Sequence, residues 1–388
     1  MKAMVLFGTR PEIIKLAPVI KELERFEPDV KSVLVSTGQH LEFTQQMLGL
    51  FDIRADYELN VMKNRQTLAH VVSSVVRDVD DIIVHEQPDV LIVQGDTASC
   101  AAGAIAANMR AVRVAHVEAG LRTPDKFVPF PEEINRRILG VCADWHFAPT
   151  ARAQDNLLRE GKRPGSVYVT GNTVVDAMHA ILESQPVTEY RAEKSGLRDV
   201  LVTMHRRENL GDGLRRICGA IRSLVDDHPD VRVLIPVHHN PAVGDVVHDE
   251  LDGHERVQLL PPLSYVDFLH ILRGCYFVMT DSGGVQEEAP SLGKPILVLR
   301  DVSERQEAVD AGVAVLVGTD ERKIYAAAHE LLTDETTYAR MAKETCVFGD
   351  GFASERIVSV LVRDFRREEP ARRSAQKPVR EARAPALV

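Results

Sequence analysis

The stretch Val90-Leu91-Ile92-Val93-Gln94-Gly95-Asp96-Thr97, continued by Ala98–Arg110, reads as a strand, a tight loop and a helix. Val90–Gln94 is almost wholly apolar and does not alternate, as in a parallel strand buried on both faces. The same signature recurs at Ala3–Phe7, Val30–Ser36, Arg113–Val117, Trp145–Ala148 and Ser166–Val169. It returns at Val200–Met204, Val231–Val237, Val257–Leu260, Phe277–Thr280, Ile296–Leu299 and Ala314–Val317. Helical stretches lie between them, as in Ile13–Phe26, Thr67–His85 and Ser99–Arg110. Strand and helix in alternation predict a doubly wound α/β fold. So many strands are better divided between two sheets than held in one. The seam falls near Thr170–Leu197, where Glu183–Gly196 is polar and carries Pro186 and Gly196. Two doubly wound α/β domains, 1–172 and 173–352, are therefore expected to face each other across a cleft.

The chain has 388 residues, and 47 Lys and Arg against 57 Asp and Glu give a net charge of −10. Hydrophobic residues make up 45% and charged residues 27%, which excludes a disordered chain and suits two domains. An acidic body argues against nucleic-acid binding, which needs a basic face. No apolar run approaches the ~20 residues that span a bilayer, so no membrane partner is expected. The apolar stretch within Met1–Glu12 is too short for a signal peptide, and a cytoplasmic protein is expected. The five cysteines, Cys100, Cys142, Cys218, Cys275 and Cys346, are scattered and suit reduced thiols, not a disulfide framework or a zinc site. The segment 366–388 holds seven Lys or Arg, three Asp or Glu and three prolines, and is expected to be a disordered basic tail.

Polar motifs follow the strands. Phe7-Gly8-Thr9-Arg10-Pro11-Glu12 leads into a helix whose free N–H groups, with Arg10 and Lys15, suit an anion. The alternative is an ordinary turn with two surface cations. Neither a Walker A sequence nor a GxGxxG fingerprint is present there. Asp96 and Glu118 follow two strands, where open α/β sheets bind ligands. Two carboxylates in one pocket raise one another's pKa, as proton transfer requires. For Asp96 the alternative is a helix N-cap. Glu132 and Glu133 open a helix behind Pro131 and pair in spacing with Arg136 and Arg137, which also fits an exposed, salt-bridged first turn. His205 follows a strand and can donate to a phosphate or carry a proton. His238 and His239 are adjacent on an extended segment and point apart, so they do not form a metal pair. Asp281-Ser282-Gly283-Gly284 lets backbone N–H groups approach a diphosphate, and Glu288, one turn on, suits ribose hydroxyls. No metal site and no redox cofactor site is legible.

With these motifs in order, FGTRPEIIK, GDT, HVEAGLRT, PEEINR, FAPT, TGNTVVDA, HRREN, PVHHNP, TDSGGVQEEAPSLGKP and LRDVSERQEAV, the chain closely resembles the non-hydrolysing UDP-N-acetylglucosamine 2-epimerases. The resemblance runs from about Met4 to about Arg356. It implies a GT-B-like pair of Rossmann domains, with 353–365 as a C-terminal helix crossing back to the first. It implies reversible conversion of UDP-GlcNAc to UDP-ManNAc, in which UDP leaves, 2-acetamidoglucal is held, and UDP adds back. Carried onto this chain, Arg10, Lys15 and His205 serve the phosphates and the reacting sugar. Ser282, Gly283, Gly284 and Glu288 hold diphosphate and ribose, Phe268 lies near the uracil, and Arg305 touches the ligand. Asp96, Glu118 and Glu132 are the proton-transfer carboxylates, with Arg136 beside them. The resemblance also implies a homodimer and a second, activating UDP-GlcNAc site at Gln39, Glu42, Arg65, Arg207 and His238. Glu42 stands where some members have Gln. Gln306 replaces a proline often found after Glu-Arg, and Pro124 replaces a small residue, which brings other UDP-2-acetamido sugars into range.

Three rival readings compete with epimerisation. A GT-B glycosyltransferase shares the fold but has no evident use for Asp96, Glu118 and Glu132. A hydrolysing epimerase couples to a kinase domain, for which this chain has no room. A nucleotide-sugar binder without turnover has no need of proton-transfer carboxylates.

Overall fold

The computed structural model describes residues 1–38, 41–61, 67–186, 196–206 and 209–375. In chain order the first part comprises β1 (Lys2–Phe7), α1 (Arg10–Glu24), β2 (Lys31–Ser36), α2 (Leu41–Leu50), β3 (Tyr57–Glu58), α3 (Leu68–Glu86), β4 (Val90–Gln94), α4 (Ala98–Met109), β5 (Arg113–Val117), α5 (Glu132–Cys142), β6 (Trp145–Ala148), α6 (Ala151–Arg159) and β7 (Val167–Val169). Then come α7 (Thr173–Ser184), β8 (Arg198–Thr203), α8 (Asp212–Asp227), β9 (Val231–Pro236), α9 (Pro241–Leu251), β10 (Val257–Leu260), α10 (Tyr265–Gly274), β11 (Phe277–Thr280) and α11 (Gly283–Glu288). The chain closes with β12 (Ile296–Val298), α12 (Gln306–Asp310), β13 (Ala314–Leu316), α13 (Glu321–Thr333), α14 (Glu335–Met341) and α15 (Ala353–Ala375).

Among the described residues the strands form a seven-stranded sheet, β3-β2-β1-β4-β5-β6-β7, and a six-stranded sheet, β10-β9-β8-β11-β12-β13. All neighbouring strands are parallel. Successive side chains of a strand enter different cores. In β1, Ala3, Val5 and Phe7 join the cluster with α1, whereas Met4 and Leu6 join the cluster with α3 and α4. In β8, Leu201 lies in the first of these clusters and Val200 and Val202 in a third, with α8. Burial on both faces is why the middles of these strands are apolar. The added strand β3 is two residues long and sits at an edge, too short to leave a pattern.

The seam is a packed helix. Val174, Val175, Met178 and Ile181 of α7 share one apolar cluster with Ile13 and Leu16 of α1 and Leu269 and Leu272 of α10. One core thus runs beneath both sheets. The polar stretch that follows lies partly outside the described residues, at 187–195. The helix α15 packs on α1 and α7. It is anchored to the first sheet by Trp145 Nε1 donating to Asp364 Oδ2 at 3.0 Å and Arg356 Nη1 donating to the Thr170 carbonyl at 3.0 Å. It continues past Phe365 to Ala375, so residues 366–375, expected in a disordered tail, are helical. Arg, Glu and Ala favour extension of a helix that is already nucleated and docked, against the roughly 3 kcal/mol that Pro370 costs in its interior. Residues 376–388 lie outside the described residues.

In each sheet the chain order reverses at one point, between β1 and β4 and between β8 and β11. Ligands of open α/β sheets bind beyond the carboxyl ends of the strands at such points. Gly120, after β5, shows how closely the loops there are packed. Its φ is +92°, and a Cβ on it would lie 2.2 Å from the Ala153 carbonyl oxygen. Gly161 has φ +82° with open space beside it. Gly161→Ala is expected to cost about 1 kcal/mol, the left-handed backbone alone, and Gly120→Ala about 3 kcal/mol or more, with the collision added. Urea denaturation of the two variants checks the difference.

Candidate active site

The loops after β1 and β4 are tied together by Glu12. One of its oxygens accepts from the Gly8 and Thr9 amides at 3.0 and 2.7 Å. The other accepts from Thr97 Oγ1 at 2.7 Å and Cys100 Sγ at 2.8 Å. Thr9-Arg10-Pro11-Glu12 has the spacing of a capping box, a signal that the reading of Arg10 and Lys15 passed over.

Lys15, one turn further along α1, is buried. Its ammonium donates to Glu118 and, at 2.9 Å, to Glu287 Oε2 from the second domain. Glu287 Oε1 accepts from Arg305 Nε and Nη2 at 2.9 and 2.7 Å, and Arg305 also pairs with Glu304. Arg300 binds the far side of Glu304 at 3.0 Å. A row of alternating charges therefore crosses the cleft. Glu118 also accepts from Gln94 Nε2 at 2.8 Å. Its φ is +64°, a strained conformation for a residue with a side chain, and it directs the backbone at the end of β5. Burial pushes the Glu118 carboxyl up, Lys15 pulls it down, and it stays above the usual range. Burial also opposes ionisation of Glu287, but Lys15 and Arg305 together hold it below that range.

Asp96 is not the cap of α4. Thr97 takes that place, its Oγ1 accepting from the Cys100 amide at 3.2 Å. Asp96 instead meets Arg136 Nη2 at 2.6 Å, and Asn135 Nδ2 donates to its carbonyl at 2.8 Å. The start of α5 is salt-bridged through Glu133 and Arg137, as the spacing suggests, but it is not an exposed turn. Glu133 is fully buried, accepting from Arg137 Nε at 2.9 Å, Arg136 Nη1 at 3.3 Å and the Thr123 amide at 3.1 Å. That amide belongs to the loop 122–131, whose course the sequence did not indicate. Glu132 does not pair with Arg136 through Oε2, which is buried without a hydrogen-bond partner.

In the second domain Asp281 organises the loop after β8. Its buried carboxylate accepts from the His205 and Arg206 amides at 3.0 and 2.9 Å and from Asn209 Nδ2 at 3.0 Å. His205 Nδ1 lies 3.0 Å from the same group. Burial raises the Asp281 pKa, yet the His205 contacts and the two amides outweigh it and hold it low. The His205 ring stacks on His238 at 5.7 Å between centroids. Burial and the neighbouring His205 and His239 lower the His238 pKa. Ser282 precedes α11, which Gly283 and Gly284 open. A Cβ on Gly283 would lie 2.9 Å from the Arg305 guanidinium carbon, so Arg305 rests against the start of α11. Glu288 accepts from Tyr265 Oη at 2.7 Å. Burial raises its pKa to about 7 against the pull of Tyr265 and, further down, of Lys15 and Arg10. Phe268 is half-buried three residues beyond Tyr265 on α10.

The structure thus joins Lys15, Glu118 and Arg305 in one row, Asp96 with Arg136, His205 with His238, and Glu288 with Tyr265. Glu12, Tyr265, Asp281 and Glu287 are the site residues that reading by motif left without a role. Gln39, Arg65 and Arg207 lie outside the described residues, as does the Glu42 side chain. Among the described residues no group of three or more His, Cys, Asp or Glu is placed to hold a metal ion, and no helix is long and apolar enough to cross a membrane.

A family model described as UDP-N-acetylglucosamine 2-epimerase matches residues 21–362. The UDP-N-acetylglucosamine 2-epimerase of Bacillus subtilis is 46% identical over 95% of this chain and 98% of its own. The chain belongs to the UDP-N-acetylglucosamine 2-epimerase family. The epimerase of Neisseria meningitidis, solved bound to UDP-GlcNAc, is similar in structure with a TM-score of 0.89, at 40% identity over 94% of this chain and 100% of that one. That of Methanocaldococcus jannaschii, solved with UDP-GlcNAc and UDP, gives 0.79 at 33% identity over 93% and 99%. The two parallel sheets have the GT-B-like form of these epimerases.

The buried Lys15 is the cation paired directly with Glu118. Lys15→Met is expected to cost about 3–5 kcal/mol, the usual result of removing one partner of a buried pair. Glu118 then rises further above its unfolded pKa. A carboxyl whose folded pKa is raised loses stability as pH climbs through that range, so the deficit grows with pH and shrinks in acid. Denaturation of both proteins at about pH 5 and about pH 8 tests this, the gap being larger at the higher pH.

Proposed function

We propose that this protein interconverts UDP-GlcNAc and UDP-ManNAc by eliminating UDP and adding it back. The observation that carries the reading is the buried pair of Lys15 and Glu118 at the first switch point, tied across the cleft to Glu287. It sets a carboxylate with a raised pKa beside a cation suited to a diphosphate. A base removes the C2 proton, the C1–O bond breaks with its electrons going to UDP, and a C1–C2 double bond forms. A proton then reaches the other face of C2, and UDP oxygen bonds to C1 again.

The residues divide by domain. Glu118, Asp96 and Glu132 are the proton-transfer carboxylates, with Arg136 paired to Asp96 at 2.6 Å. Lys15, Arg10 and His205 meet the negative charge that develops on departing UDP, which a fixed and poorly solvated site stabilises strongly. Ser282, Gly283, Gly284 and Arg305 receive the diphosphate, Glu288 the ribose and Phe268 the uracil. Entry of a dianion sets it in competition with Glu118 for Lys15. As Lys15 turns to phosphate, Glu118 loses its counter-charge and becomes a better base. A glycosyltransferase would gain nothing from this coupling.

Proton NMR of UDP-GlcNAc with the protein in deuterium oxide is expected to yield UDP-ManNAc carrying deuterium at C2. Free ManNAc, or no change in the sugar, would overturn the reading. Asp96→Asn and Glu118→Gln are each expected to lower kcat by about 10²–10⁴, the usual contribution of general acid–base catalysis.

Ribose hydroxyls donate to the ionised form of Glu288, whose pKa is about 7. UDP binding below that value therefore releases a proton, and affinity weakens as pH falls through about 7, by at most about tenfold per unit. Calorimetry in two buffers of different ionisation enthalpy measures the proton. Glu288→Gln is expected to abolish this part of the release, and Tyr265→Phe to move its midpoint to higher pH.

A further inference from the structure

Charged groups from two domains converge on Glu287, whose side chain is only 2% exposed. Its Oε2 accepts from Lys15 Nζ of the first domain at 2.9 Å. Its Oε1 accepts from Arg305 Nε and Nη2 of the second at 2.9 and 2.7 Å. The same Lys15 ammonium serves Glu118. One cation is thus divided between two buried carboxylates, and one of them, Glu287, also bonds a second cation, Arg305, which it shares with Glu304. In such a pair the better-compensated group keeps its charge and the other takes the proton.

We propose that Glu287 is a positioning residue for proton transfer: by holding Lys15 across the cleft, it leaves Glu118 short of counter-charge and ready to accept a proton. The inference rests on the reading of Glu118 as a proton-transfer group. The charged groups facing Glu118 are Lys15 from α1, Glu287 from α11 and Arg305 from the segment before α12, and Gln94 and Asn172 complete its shell as neutral amides. Lys15 and Arg305 favour the carboxylate, whereas burial and Glu287 favour the acid. Glu287 acts through Lys15 and touches no reacting atom in this account.

Glu287→Gln keeps the shape and removes the charge. Lys15 then belongs to Glu118 alone, and Arg305 loses a neutralising partner. Both changes make Glu118 a weaker base. The acid limb of the kcat–pH profile is expected to move down by about one pH unit or more, and plateau kcat to fall about tenfold, with KM for UDP-GlcNAc unchanged or lower. Glu287→Asp, which retains the charge, is expected to return the limb toward its wild-type position. A Gln variant whose limb stays put or moves up overturns the proposal. Should that variant not fold, Arg305→Gln supplies the opposite sign. Glu287 then draws harder on Lys15, and the limb is expected to move up, so an unmoved limb there overturns the proposal. A purely structural role for Glu287 shifts neither limb. Failure of the wild-type protein to convert UDP-GlcNAc, or normal turnover by Glu118→Gln, would instead overturn the role given to Glu118.

Discussion

A buried ammonium shared between two domains is the constraint around which the site is arranged. Lys15 has only 10% of its side chain exposed, and bringing such an ion out of water costs several kcal/mol. That cost is offset only where every partner is in place. The partners are Glu118 at the end of β5 and Glu287 on α11, so the two sheets must meet with their switch points opposed. The apolar cluster through α1, α7 and α10 provides the driving force for this meeting, being non-directional. The polar row provides its register. Thr150 donating to Glu307 at 2.7 Å and Arg152 pairing with Asp310 repeat the arrangement between α6 and α12. Apolar burial thus decides that the domains associate, and charge decides where they stop.

Much of this was legible from the chain. Strands buried on both faces advertise themselves as mostly apolar runs, so Val90–Gln94, Arg113–Val117, Val257–Leu260 and Phe277–Thr280 begin and end where the pattern does. The motifs at their ends were legible for the same reason, since a polar, glycine-rich stretch after such a run builds no core. What was hidden was direction. Glu287 and Glu288 are neighbours, yet on a helix they point about 100° apart. One bonds Lys15 across the cleft and the other bonds Tyr265 within its own domain. Only the fold distinguishes them. The left-handed backbone of Glu118 and the course of the loop that seats Glu133 were equally invisible, because both depend on partners distant in sequence. The helix at 366–375 went unread because proline and like charges suggested disorder, whereas a docked helix was already there to extend.

Gly283 ties the sequence to the electrostatics. A side chain there would collide with Arg305, so glycine is what lets a guanidinium lie against the first turn of α11. A cation at that end of a helix is unfavourable by itself, since free N–H groups already make it positive. Arg305 is tolerated because Glu287 and Glu304 flank it, and Glu304, with Arg305 and Arg300 acting against the effect of burial, titrates at about 2. The second switch point therefore carries two sources of positive potential, of which Arg305 is compensated by Glu287 and Glu304.

The compensation is balanced. Glu118, Glu287 and Glu304 stand against Lys15, Arg305 and Arg300, alternating along one buried row. A row of this kind is closed on itself without a ligand, and a doubly charged guest enters only by displacing a carboxylate from a cation. The displaced carboxylate, still buried, has one inexpensive course, which is to take a proton. Glu287 and Glu304 each keep a second cation when one is withdrawn, and Glu118 does not. On the proposed reading, anion binding in such a row is converted into basicity at one position, the end of β5. A site that only bound nucleotides would be better served by uncompensated cations. Coupling charge entry to proton uptake has a use where the bound anion is also the leaving group of a reaction that begins with loss of a proton.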